Sequence, residues 1–196
     1  AMALSSLPPD KGVLNEAPRN PLSHIINRKM LIRIVGAGIS FFVLLVGIWQ
    51  LLHHVDITSV REIVDGDNLR MFAHRLFTMT GHSEPLTHYE LGIFFSIFVL
   101  LQFWNMFNAK YFSTRRSLLL DIVDLVRNPK AVKESYSSYF ILISLVIVAG
   151  QIVIVNLASD LFGVAPLSFD DWLCIIALTS PVLLIPDIVR LVTRNR

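Results

Sequence analysis

Charge is what this chain has least of. Only 16% of its 196 residues are Asp, Glu, Lys or Arg, against about a quarter in a soluble globular domain, and 54% are hydrophobic, with a mean hydropathy of +0.60. A solvated surface around one soluble core is therefore excluded. Cysteine is nearly absent: Cys174 stands alone, which rules out an intrachain disulfide and leaves the redox compartment unreadable. The chain also lacks a glycine-rich phosphate loop, paired carboxylates at catalytic spacing, a Ser with His and Asp partners, and a Cys or carboxylate cluster fit for a metal. Nothing in it performs covalent chemistry by itself, and no metal or cofactor is expected in this chain. A basic start leading into a short apolar run, the mark of a secretory signal, is missing near the N-terminus.

What is present is apolar sequence in long runs. Four stretches come close to the roughly 20 residues that cross a bilayer: about 30–52, 91–109, 135–159 and 172–192. The third is rich in Val and Ile, which suit a lipid-facing helix. The fourth is interrupted by Pro181, Pro186 and Asp187, a pattern tolerated in membranes when neighbours re-satisfy the freed carbonyls. The fold class expected is all-α, a polytopic transmembrane four-helix bundle with short amphipathic helices in its loops. Residues 1–29 read as the end of a preceding apolar segment, broken by Pro8 and Pro9, followed by a loop.

The basic residues sort by side. Of 17 Lys and Arg, 14 lie before or at the entry of the first span, between the second and third, or at the end of the fourth and beyond it; only Arg61, Arg70 and Arg75 lie in the other loops, where acids gather. Positive residues collect on the cytoplasmic flanks, so both termini are expected to be cytoplasmic. An even number of spans agrees. The net charge of +2 reflects this topology and anionic lipid, not nucleic acid.

Lone features have plain readings. "DNLRMFAHRLF" in the first outer loop and "RSLLLDIVDLVRN" between the second and third spans read as amphipathic helices lying on the membrane, the latter interrupted as a span by Asp121 and Asp124. His53 and His54 are adjacent, so their side chains diverge by about 100° and do not converge on one metal. Gly36, Ala37 and Ser40 form a close-packing strip that calls for a partner helix. Asp187 and Arg190 sit three apart, within reach of a structural ion pair.

The stretch "FVLLQFWNMFNAKYF" carries the sharpest question. Gln102, Asn105 and Asn108 recur every third residue and on a helix drift by about 60° per step, so they line one stripe. Carboxamides facing lipid are costly, so the stripe faces protein or water. Two uses compete there. One is interhelical hydrogen bonding, which fits Asn108 best; the other is contact with a hard cation's path, for which Gln102 and Asn105 offer neutral oxygen ligands.

The residues also resemble a known family. "MALSSLPPDKGVLNEAPRNPLSHIINRKMLIRIV" is similar to the stretch after the sixth membrane helix of P-type calcium ATPases. "HYELGIFFSIFVLLQFWNMFNAKYF" resembles the eighth helix of the plasma-membrane type, "GQIVIVNLASDLFGVAPLSFDDWL" the ninth helix and the loop after it, and "SPVLLIPDIVRLVTRNR" the end of the tenth. The resemblance covers nearly the whole chain and makes the four spans helices seven to ten. It implies an ATP-driven cation pump whose cargo is calcium, with ATP and Mg2+ handled elsewhere in the parent protein. The phosphorylated Asp, the nucleotide-binding and actuator domains and the main ion-binding helices of that family have no counterpart here. Pro8, Pro9 and Asp10 would contact the cytoplasmic phosphorylation domain. Gln102 falls where reticulum-type pumps place a Glu at a second calcium site, so its neutrality implies one calcium per cycle, and the plasma membrane as location. The alternative is a free-standing four-helix membrane protein that binds a partner without ATPase activity.

Overall fold

The computed structural model describes residues 2–7, 28–54, 57–78, 85–111, 118–127 and 138–194, with some side chains inside the helices, that of Arg190 among them, left out. Pro8, Pro9 and Asp10 lie outside the described residues. Every regular element among those described is helical. In chain order they are α1 (Met2–Ser5), α2 (Arg28–His54), a 3-10 turn (Val60–Val64), α3 (Gly66–Thr78), α4 (His88–Lys110), α5 (Leu118–Arg127), α6 (Ser138–Asn156), α7 (Ser159–Phe162), α8 (Phe169–Thr179) and α9 (Pro181–Arg194).

Four stretches are long and apolar enough to cross a membrane: Met30–His53, His88–Lys110, Ser138–Asn156 and Phe169–Val189. The last is α8 and α9 laid end to end around Ser180. The protein is a multi-pass membrane protein, a helical bundle of four spans.

Two spans start earlier than hydropathy alone suggests, and the cause is local. At the start of α4, Thr87 Oγ1 accepts from the Glu90 amide at 3.3 Å while Glu90 Oε2 accepts from the Thr87 amide at 2.8 Å. At the start of α8, Ser168 and Asp171 repeat the arrangement at 3.2 and 3.1 Å. Each reciprocal pair satisfies amides that a helix start leaves without partners. Polar residues that look like loop are thereby held in the helix.

The core gathers at the end of the bundle where these two starts meet. Leu51 and Leu52 of α2, Ile57, Val60 and Ile63, Ile93 and Ile97 of α4, Val155 of α6, Leu167 and Ile175 of α8 form one buried cluster, extended down α4 by Leu100 and Leu101. Asp171 also accepts from the Val60 amide at 3.4 Å, tying the 3-10 turn to α8. The segment before α8 docks on α4 by backbone: the Ala165 amide donates to the His88 carbonyl at 2.8 Å. Gly92 makes this approach possible, since a Cβ there would sit 3.0 Å from the Ala165 carbonyl oxygen.

Helix α4 is the hub, touching α2, α6, α8 and α9. The short α1 packs against α6 and α4. By contrast α2 joins the bundle only through its last turns, where Trp49 meets Phe94 edge to face at 5.4 Å. Leu31, Ile32, Val35, Ile39, Phe42 and Val43 are exposed, and nothing lies within 4 Å of a Cβ built at Gly36 or Gly38.

Candidate functional site at the carboxamide stripe

The three carboxamides of α4 do not share one environment. Asn108 turns toward the fourth span, where its Nδ2 donates to the Val182 carbonyl at 2.7 Å. That carbonyl would ordinarily accept from the amide four residues on, which is Pro186 and has no N–H. Asn108 thus supplies the bond that proline removes. One turn earlier Trp104 Nε1 donates to Thr179 Oγ1 at 2.9 Å, and Thr179 in turn donates to the Ile175 carbonyl at 2.8 Å. The other proline, Pro181, frees the Ala177 carbonyl, and Ser180 Oγ donates to it at 2.9 Å. Both carbonyls orphaned in the broken fourth span are therefore satisfied by side chains.

Gln102 is exposed and Asn105 half-buried. Neither meets a hydrogen-bond partner among the described residues. They continue the line of Phe94 and Phe98, three to four residues apart; Phe94 touches α2 and Phe98 is exposed. The stripe splits because about 60° of drift per step is enough to carry Asn108 round to α9.

At the far end of α4, Asp187 is almost wholly buried, at 1% exposure. Its two carboxylate oxygens accept from the amides of Leu118 and Leu119, both at 2.9 Å. These are free amides of the first turn of α5, so Asp187 caps a helix 68 residues away in sequence. The expected partner, Arg190, has no described side chain. Beside this cap Tyr111 donates to Asp121 Oδ2 at 2.7 Å, and Lys110 Nζ lies 3.5 Å from the same oxygen and 4.8 Å from the Tyr111 ring centre. Lys110, Tyr111 and Asp121 are all buried or nearly so.

Several polar contacts have no counterpart in the sequence reading. Gln151 Nε2 donates to Ser96 Oγ at 3.2 Å between α6 and α4, and Asn156 Oδ1 accepts from the Leu167 amide at 3.2 Å. The two capping boxes were missed as well, although Ser/Thr followed three residues later by an acid is a signal that could have found them. The interhelical bonds had no such signal, because residues 55 and 74 positions apart carry no mark of adjacency. In the loop between the first two spans, donation from Thr58 Oγ1 at 2.7 Å and the Thr58 amide at 3.0 Å holds the Glu62 carboxyl below its ordinary value. Among the described residues no three His, Cys, Asp or Glu side chains converge.

Comparison with known proteins bears on what this bundle belongs to. The endoplasmic reticulum-type calcium-transporting ATPase 4 of Arabidopsis thaliana is 23% identical over 99% of this chain and 20% of its own length. Plasma membrane calcium-transporting ATPase 1 of Oryctolagus cuniculus is 27% identical over 100% of the chain and 14% of its own. Plasma membrane calcium-transporting ATPase 2 of Oreochromis mossambicus is 26% identical over 88% and 13%. The chain thus spans a fifth or less of these relatives. The family described as "Cation transporting ATPase, C-terminus" matches residues 1–192, nearly the whole length, and the chain belongs to that family.

Proposed function

We propose that this chain is the C-terminal membrane scaffold of an ATP-driven calcium pump of the plasma-membrane type, supporting ion-binding helices that other parts of the parent protein supply. The observation that carries the reading is the split stripe on α4. Asn108 is committed to the bundle, whereas Gln102 and Asn105 have no hydrogen-bond partner among the described residues, and amides are costly against lipid. They fit contact with further helices of the parent pump, at the edge of a cation's path. Gln102, neutral, contributes an amide oxygen at most, which favours one calcium per cycle. ATP and Mg2+ act on cytoplasmic domains outside this chain, contacted through Pro8, Pro9 and Asp10. Both termini are cytoplasmic in this reading, as the basic flanks require.

ATPase activity of the full-length parent, measured with calcium, manganese and magnesium in turn, tests it. Stimulation by calcium alone, with one ion moved per ATP, is expected. Stimulation by manganese alone overturns the cargo; two calcium ions per ATP overturn the role given to Gln102.

A further inference from the structure

Helix α5 is folded inside out by the standards of a helix in water. Its acid, Asp121, is buried at 2% exposure, while Ile122 and Val123 beside it are 51% and 47% exposed. Arg127, four residues beyond Val123 and so on the same side of the helix, is exposed as well. The inversion is enforced by three bonds already described: Asp187 on the amides of Leu118 and Leu119, and Tyr111 on Asp121. Each anchoring residue belongs to the end of a span. Lys110 and Tyr111 close α4, and Asp187 lies two residues before Val189, where the fourth span ends. Helix α5 is therefore held level with the membrane boundary, with Ile122 and Val123 turned away from the bundle and the exposed Arg127 on the same side.

We infer that this face of α5 is a seat for anionic phospholipid, with Ile122 and Val123 in the acyl boundary and Arg127 on the headgroup. Charge complementarity decides the occupant. Arg127 is the exposed charge on the side of Ile122 and Val123, the flanking sequence adds Arg115, Arg116, Lys130 and Lys133, and basic residues near a membrane surface attract acidic headgroups. A long basic side chain beside apolar neighbours meets both parts of such a lipid, its stem in the boundary layer and its charge among the phosphates. The inference stands apart from the pump reading, since it concerns only the chain's own interface.

The test places a fluorophore at Ile122→Cys in a Cys174→Ser background, with Val123→Cys as the second labelling position should the first fail to fold. The chain is reconstituted in phosphatidylcholine vesicles containing increasing fractions of brominated phosphatidylcholine or brominated phosphatidylserine. Blue-shifted emission is expected, quenched by both and at lower mole fraction by the serine lipid. Arg127→Gln should reduce that preference about five-fold, the contribution of one basic residue at an anionic surface. Water-like, unquenched emission overturns the seat. Equal quenching by the two lipids overturns its anionic selectivity, and a blue shift without quenching by either assigns the face to protein contact instead.

Discussion

Helices α2 and α4 are both long, apolar and able to cross a membrane, yet they occupy the bundle in opposite ways. The more apolar of the two, α2, leaves most of its length uncovered, whereas α4, which carries Glu90, Ser96, Gln102, Asn105 and Asn108, touches five other helices. In lipid there is no hydrophobic gain from packing one apolar helix on another, because the acyl chains are equally apolar. What collects helices around α4 is its polar groups and its small residue. Ser96 meets Gln151, Trp104 meets Thr179, Asn108 meets Val182, and Gly92 admits the backbone at Ala165. Hydropathy therefore reports that a helix enters the membrane; it does not report how central that helix is.

The contrast can be broken most severely where α4, α5 and the fourth span are joined. Asp187→Ala removes a buried carboxylate that accepts two amides, and should destabilise the chain in detergent by about 3 kcal/mol, with Asp187→Asn recovering part by keeping one acceptor. Thermal unfolding of the two variants side by side checks it, and equal stability to the parent sequence would remove the cap from the account.

Glycine gives the next test. Gly92→Ala forces a methyl against the Ala165 carbonyl and should cost about 2 kcal/mol, whereas Gly36→Ala on α2 meets nothing within 4 Å and should be neutral or slightly stabilising, as Ala is the better helix former. A matched loss at both positions, by the same melting measurement, would show that α2 is packed along its length.

A smaller effect separates the amides. Asn108→Leu leaves the Val182 carbonyl without its donor, for about 1 kcal/mol; Gln102→Leu should leave the stability of this chain unchanged. If Gln102→Leu destabilises it as much as Asn108→Leu does, the stripe is not divided as described.

The smallest expectation concerns pH. The Glu62 carboxyl is held low by Thr58, so its contribution to the 3-10 turn is fully present above its ordinary value of 4.5 and is lost as pH falls through the lowered one. Carboxyl titration by NMR should show Thr58→Ala moving Glu62 back up toward that value. No movement would mean that the Thr58 bonds do not form in solution.

Much of this was legible in residues 1–196. The four spans followed from uncharged runs, the two amphipathic connections from their patterning, and the one-sided distribution of Lys and Arg from simple sorting. Asp187 was noticed because an acid near a membrane span is costly, with Arg190 as the partner expected, and the Arg190 side chain lies outside the described residues. The bonds found lie at Leu118 and Leu119, and no spacing rule connects position 187 to 118. Likewise the amide stripe was visible as a stripe, while the proline-freed carbonyl that claims Asn108 became identifiable only when α4 and α9 were side by side.

What the sequence by itself determined is insertion: how many spans, roughly where they lie, and which flanks are basic, because these depend on local hydropathy and charge. The tertiary structure alone decided which polar groups are spent inside the bundle and which remain available. Asn108, Asp121 and Asp187 went inward, and Gln102, Ile122 and Val123 outward. That assignment depends on which distant backbone groups lack a partner, and a backbone group's need is set by the helices brought beside it, not by its own neighbours in the chain.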